Sequence, residues 1–117
     1  MDNASLLAVA MANQCKALIQ KSEEADSDLQ QALHPMHLLW MCQQIEDNAE
    51  ELHPTKLHRW LGFVQCAMMA NGMLDFEAAK TMFSEAKNAY GISDEDDDLV
   101  DHLDPASTFK LDIGGQG

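Results

Sequence analysis

The chain has 117 residues, 46% of them apolar, and a formal net charge of −13 from 20 acidic and 7 basic side chains. The length suits a single domain and the apolar content suffices for a core, so wholesale disorder is excluded. The charge argues against direct binding to DNA or RNA, whose phosphates repel it, and against attraction to an anionic membrane surface.

Aromatic residues are scarce at 6%, while eight methionines accompany many alanines and leucines. Ala, Leu, Met, Gln, Glu and Lys lose little on entering a helix, so the palette favours an all-α fold. The reading is a small bundle of four to five helices over residues 1–104. An acidic, partly flexible C-terminal tail follows over 105–117.

In chain order, Leu6, Leu7, Val9, Ala10, Met11, Ala17, Leu18 and Ile19 fall largely at helical spacings. They predict a first helix over about 4–21, with Asn3 or Ser5 near its cap. The opening Met1-Asp2-Asn3-Ala4-Ser5 has an acid and neither Lys nor Arg, so no signal peptide is expected. Residues 22–32 are polar and read as a connection.

Leu33-His34-Pro35 and Leu52-His53-Pro54 then punctuate the chain in the same way, each ahead of an amphipathic stretch that contains a tryptophan. Proline suits the first helical position, where its missing N–H needs no partner, and it pushes the preceding His into an extended, capping conformation. Helices are predicted over about 35–51 and 54–71. The second helix places Leu38, Met41, Ile45, Ala49 and Leu52 on one face. The third has Leu57, Trp60, Leu61, Val64 and Met68, flanked by Phe63 and Ala67. So wide an apolar surface predicts that the third helix is central to the bundle.

Asn71-Gly72 is a helix stop, and Asp75 is placed to cap a fourth helix. Phe76, Ala79, Phe83, Ala86 and Tyr90 give that helix the cleanest periodicity in the chain, and Gly91 ends it. Ser93 opens the acidic run Asp94-Glu95-Asp96-Asp97-Asp98, with Leu99, Val100, Asp101 and Leu103 behind it. A short fifth helix over about 94–103 would gain from acids in its first turn. Farther on, Thr108–Ile113 alternates and could pair as a strand with a partner's exposed edge.

The chain carries no established catalytic or cofactor motif, so no cofactor and no enzymatic activity are expected. Counted as a calcium loop from Asp94, the acidic run puts Leu99 and Pro105 where Gly and Glu are required. His34, His37, His53, His58 and His102, with Cys42 and Cys66, lack the tight pairs of a transition-metal site. Glu46, Asp47, Glu50 and Glu51 meet only loosely the Glu-x-x-Glu of helical magnesium-dependent nucleotide hydrolases, and the third helix supplies no acid for the second pair. Cys15, Cys42 and Cys66 are odd in number and widely spaced, and they read as buried, reduced thiols of a cytoplasmic protein.

The most distinctive stretch is Lys56-Leu57-His58-Arg59-Trp60-Leu61-Gly62-Phe63-Val64-Gln65, in which Arg59 is the single arginine of the chain. Gly62 inside a helix costs about 1 kcal/mol against Ala, which suggests a close helix contact there. Arg59 and Trp60 are residue types enriched at partner contacts. The core Arg59-Trp60-Leu61-Gly62-Phe63-Val64-Gln65 resembles that of small phage and prophage proteins of unassigned function. The resemblance covers residues 52–77, with Cys66 standing where that family continues with Gly. It implies a mobile-element origin and no particular chemistry.

Charge is concentrated toward the end of the sequence: residues 1–90 carry a net −6, and residues 91–117 a net −7. The natural electrostatic partner is a basic host protein or nucleic-acid-binding complex. The expected function is that of a non-enzymatic interaction protein, an inhibitor that presents carboxylates where nucleic acid presents phosphates. The contact residues expected are Asp94, Glu95, Asp96, Asp97, Asp98 and Asp101, together with Arg59 and Trp60. The first alternative is an assembly protein that buries its apolar face in a homodimer or larger oligomer, and the second, least favoured, is a magnesium-dependent nucleotide hydrolase that depends on Glu50.

Overall fold

The computed structural model describes residues 3–22, 30–92 and 103–105. Four α-helices make up the fold: α1 (Asn3–Lys21), α2 (Pro35–Asn48), α3 (Pro54–Ala70) and α4 (Phe76–Ala89). A 3-10 turn over Gln31–Leu33 leads into α2. No strand occurs among the described residues. The protein is an all-α bundle. The expected fifth helix and the alternating segment over 108–113 lie outside the described residues, apart from Leu103.

The punctuation works as its chemistry demands. Pro35 and Pro54 occupy the first positions of α2 and α3, and His34 and His53 before them are extended. The two starts differ in one respect. The Thr55 N–H donates to Nδ1 of His53 at 3.1 Å, whereas His34 makes no side-chain cap to α2. Asp75 caps α4 by accepting from the Ala78 N–H at 2.7 Å.

Both α3 and α4 end on a glycine in the left-handed region, Gly72 at φ 78° and Gly91 at φ 65°. Around each, the two residues at the stop turn their N–H groups back onto the last turn. Gly72 and Met73 donate to Met69 and Met68, and Gly91 and Ile92 to Asn88 and Lys87. This Schellman arrangement satisfies carbonyls that the helix end would otherwise orphan.

The helix at the centre is α1, not α3. It packs against all three of the others. Its buried face holds Ala4, Ala8 and Ala12 one turn apart beside Leu7, Met11, Cys15 and Ile19. Those short side chains let neighbouring backbones approach from several directions. The breadth of the apolar pattern on α3 has a different cause. Leu57, Leu61, Val64, Ala67 and Met68 enter the core, while Trp60 is half-buried and Phe63 is exposed.

Sulfur chemistry joins three helices in the interior. Met82 on α4 accepts from the Cys15 thiol of α1 at 3.8 Å and from the Gln65 amide of α3 at 3.5 Å. Gln65 therefore holds a buried position, and the next residue, Cys66, turns outward. The three thiols are not equivalent, contrary to the expectation that all are buried: Cys15 and Cys42 are buried and Cys66 is exposed.

Candidate interaction surface

The outer shoulders of α2 and α3 meet along an aromatic seam. Residues 56, 59, 60 and 63 stand at i, i+3, i+4 and i+7, so Lys56, Arg59, Trp60 and Phe63 share one strip of α3. From α2, Trp40 leans across to Trp60, with ring centroids 6.0 Å apart and planes tilted by 35°. His37, one turn before Trp40, stacks on it at 5.7 Å and 21°. On the far side of Trp60, Nζ of Lys56 lies 5.5 Å from the ring centroid, within cation–π range. Lys56, Trp60, Trp40 and His37 thus form a continuous cation–aromatic row from one helix to the other.

Trp40 of this row stands out into solvent, its other three members are half-buried, and exposed apolar side chains flank it. Met36 is 79% exposed, Trp40 51% and Phe63 40%. Most soluble monomers expose large apolar side chains singly; here Met36 lies one turn before Trp40 on α2 and Phe63 one turn beyond Trp60 on α3. Arg59 is exposed in the same strip. Among the described residues, neither Lys56 nor Arg59 has a carboxylate within salt-bridge distance; the two ion pairs are Lys16–Glu46 and Lys80–Glu77. The ledge therefore has a local character opposite to that of the chain, cationic and aromatic on a molecule of net charge −13.

The expected contact residues fare differently. Arg59 and Trp60 belong to this ledge, and Trp40, Lys56 and His37 join them. Lys56 is legible from its i, i+4 spacing to Trp60, whereas Trp40 and His37 are not, because their place depends on how α2 and α3 are set against each other. Asp94, Glu95, Asp96, Asp97, Asp98 and Asp101 lie outside the described residues.

Gly62 does not serve a close helix contact. A Cβ built there meets nothing within 4 Å. The glycine fronts a cleft of about 300 Å³ on the other flank of α3, bounded by His58, Gln65, Met69, Phe76 and Leu103. Its walls are largely apolar.

Of the acidic cluster, Glu46 is engaged between helices and Asp47 within α2, while Glu50 and Glu51 are exposed beyond its end. Glu46 forms an ion pair with Lys16 of α1 and accepts from the Asn13 amide at 3.0 Å, and Asp47 accepts from Gln43 at 2.9 Å. Among the described residues no three His, Cys, Asp or Glu side chains converge in a way that would hold a metal ion. The described helices are also not long and apolar enough to cross a membrane. The buried thiols of Cys15 and Cys42 are both pushed up to about 12. Burial is the main cause, followed by Cys42 acting on Cys15 and by the Glu46 carboxylate acting on Cys42. They are inert as nucleophiles at neutral pH.

Comparison with protein-family models, with curated proteins and with solved structures finds no match.

Proposed function

We propose that this protein is a non-enzymatic interaction protein. The observation that carries the reading is the ledge: both tryptophans of the chain sit at its surface in mutual contact, beside an exposed Met, Phe and Arg. Tryptophan, methionine and arginine are the side chains that interface cores concentrate. Their exposed surface gains most when a partner covers it.

The finer reading concerns the acidic run. Asp94, Glu95, Asp96, Asp97, Asp98 and Asp101 present carboxylates to a basic host or defence protein in place of nucleic-acid phosphates, which makes the protein an inhibitor by charge mimicry. The charge of −13 supports this reading. The resemblance of the Arg59–Gln65 core to phage proteins adds a mobile-element context. The signs of the two surfaces keep their roles apart: a basic groove that attracts the acidic run would repel Lys56 and Arg59.

The test is a tagged pull-down from bacterial lysate, eluted along a salt gradient, with three proteins in parallel. These are the native chain, a chain with the six acids of 94–101 changed to Asn or Gln, and Trp40→Ala. Loss of a basic, salt-released partner in the neutralised chain alone supports charge mimicry. Retention of that partner by the neutralised chain sinks it. No partner on any bait, with light scattering that shows mass rising with concentration, moves the function to self-assembly.

A further inference from the structure

We propose that the ledge receives an acidic amphipathic segment of a second protein, distinct from the basic partner of the acidic run. The protein would then bridge two partners of opposite charge.

The inference starts from the sign of the surface. From residue 54 to residue 70, α3 contains no carboxylate. Its outward strip begins with two cations, Lys56 and Arg59, and ends with Phe63 about 10 Å farther along the helix. Trp60 fills the middle and Trp40 widens the strip toward α2. A complementary segment carries carboxylates at one end and aliphatic or aromatic side chains one to two turns away. Its carboxylates find two cations that no acid of the described residues already holds. Its apolar side chains cover Trp40, Phe63 and Met36.

Other occupants fit less well. In a second copy packed ledge on ledge, the facing α3 strip has no carboxylate to offer Lys56 and Arg59, and each molecule would bring a net −13. Single-stranded nucleic acid stacks readily on aromatic platforms. Here, however, two cations would have to hold a polyphosphate against the field of the whole chain. A short acidic segment meets that repulsion with few charges and recovers more apolar contact.

The protein contains its own probe. Trp40 and Trp60 are the only tryptophans of the chain, so intrinsic fluorescence reports on the ledge alone. The full chain is titrated with two 14-residue helical peptides that carry the same leucines, one with glutamates and one with lysines. A 12-nucleotide oligothymidylate is the third ligand. At about 0.15 M salt, where the field of the whole chain is screened and the local cations act at contact, the Glu–Leu peptide is expected to shift emission to the blue and to bind at least about tenfold more tightly than the Lys–Leu peptide. The double variant Lys56→Glu/Arg59→Glu, with helicity checked by circular dichroism, is expected to reverse that preference. Binding of the Glu–Leu peptide is expected to survive neutralisation of residues 94–101, which separates this proposal from the charge-mimic reading. Equal response to both peptides, tighter binding of the oligothymidylate, a preference that the double variant leaves unchanged, or no response to any ligand would overturn it.

Discussion

The side-chain amide of Asn71 donates to two carbonyl oxygens at once, that of Ala67 one turn back in α3 and that of Leu33 in the turn before α2, both at 2.8 Å. One buried residue therefore closes a helix and fastens a loop that lies 38 positions earlier. Asn71→Ala takes the side-chain donor from both carbonyls, leaving that of Ala67 its bond from the residue 71 N–H, and is expected to destabilise the fold by about 1–3 kcal/mol, mainly through the Leu33 carbonyl. Urea unfolding followed by circular dichroism measures it. Asn71→Asp should be no better, since a carboxylate has no N–H to give.

Position within α2 separates stability from recognition. Leu38 is fully buried and Trp40 is half in water. Leu38→Ala should cost about 2–5 kcal/mol through the cavity it leaves. Trp40→Ala should cost about 1 kcal/mol, the worth of an exposed aromatic pair. Equal losses in thermal unfolding would mean that Trp40 is a core residue and that the ledge is structural.

The thiols give the fold an alkaline limit. Cys15 and Cys42 ionise near 9 when unfolded and near 12 when folded. The folded state therefore holds their protons more tightly, so stability is full below pH 9 and falls as pH rises from 9 toward 12. Cys15→Ala/Cys42→Ala should flatten that decline in urea midpoints measured from pH 8 to 11. At pH 8 a maleimide should modify one thiol in the native protein, at Cys66, and three after unfolding.

Lys16 and Glu46 join α1 to α2, with side chains about one-fifth exposed. Shielding from water makes this pair worth more than a surface ion pair, and Asn13 and Gln43 hold its geometry. Glu46→Gln and Lys16→Met should each cost about 1 kcal/mol, and the double variant should cost clearly less than their sum. Strict additivity in low-salt urea melts would show that the two charges do not cooperate.

The helices were legible because their ends are written in residues with stiff backbone preferences. Pro35 and Pro54 set two starts, Asp75 a third, and Gly72 and Gly91 two stops within a residue or two. Burial was less legible. Hydropathy counts Trp60 and Phe63 with Leu61 and Val64, yet only packing decides which of a wide apolar arc faces inward. The centre of the bundle was misassigned for the same reason: alanines look neutral in a hydrophobic pattern, while Ala4, Ala8 and Ala12 are what let α1 lie among three neighbours. Of the ledge, Arg59 and Trp60 could be picked out by residue type. Trp40 and His37 could not, since their place beside Trp60 depends on the mutual register of two helices.

The central position of α1 also bears on how the protein is made. The ribosome delivers α1 before its three neighbours, yet Leu7, Met11, Cys15 and Ile19 have nothing of theirs to pack against until α2 emerges. Met82, which meets the Cys15 thiol, arrives some 67 residues after it. A nascent chain halted before α4 would leave bare the part of α1 that α4 covers, the kind of surface that chaperones hold and that drives aggregation. Truncations from the C-terminal side should thus be lost from the soluble fraction abruptly once they enter α4, rather than in proportion to the length removed.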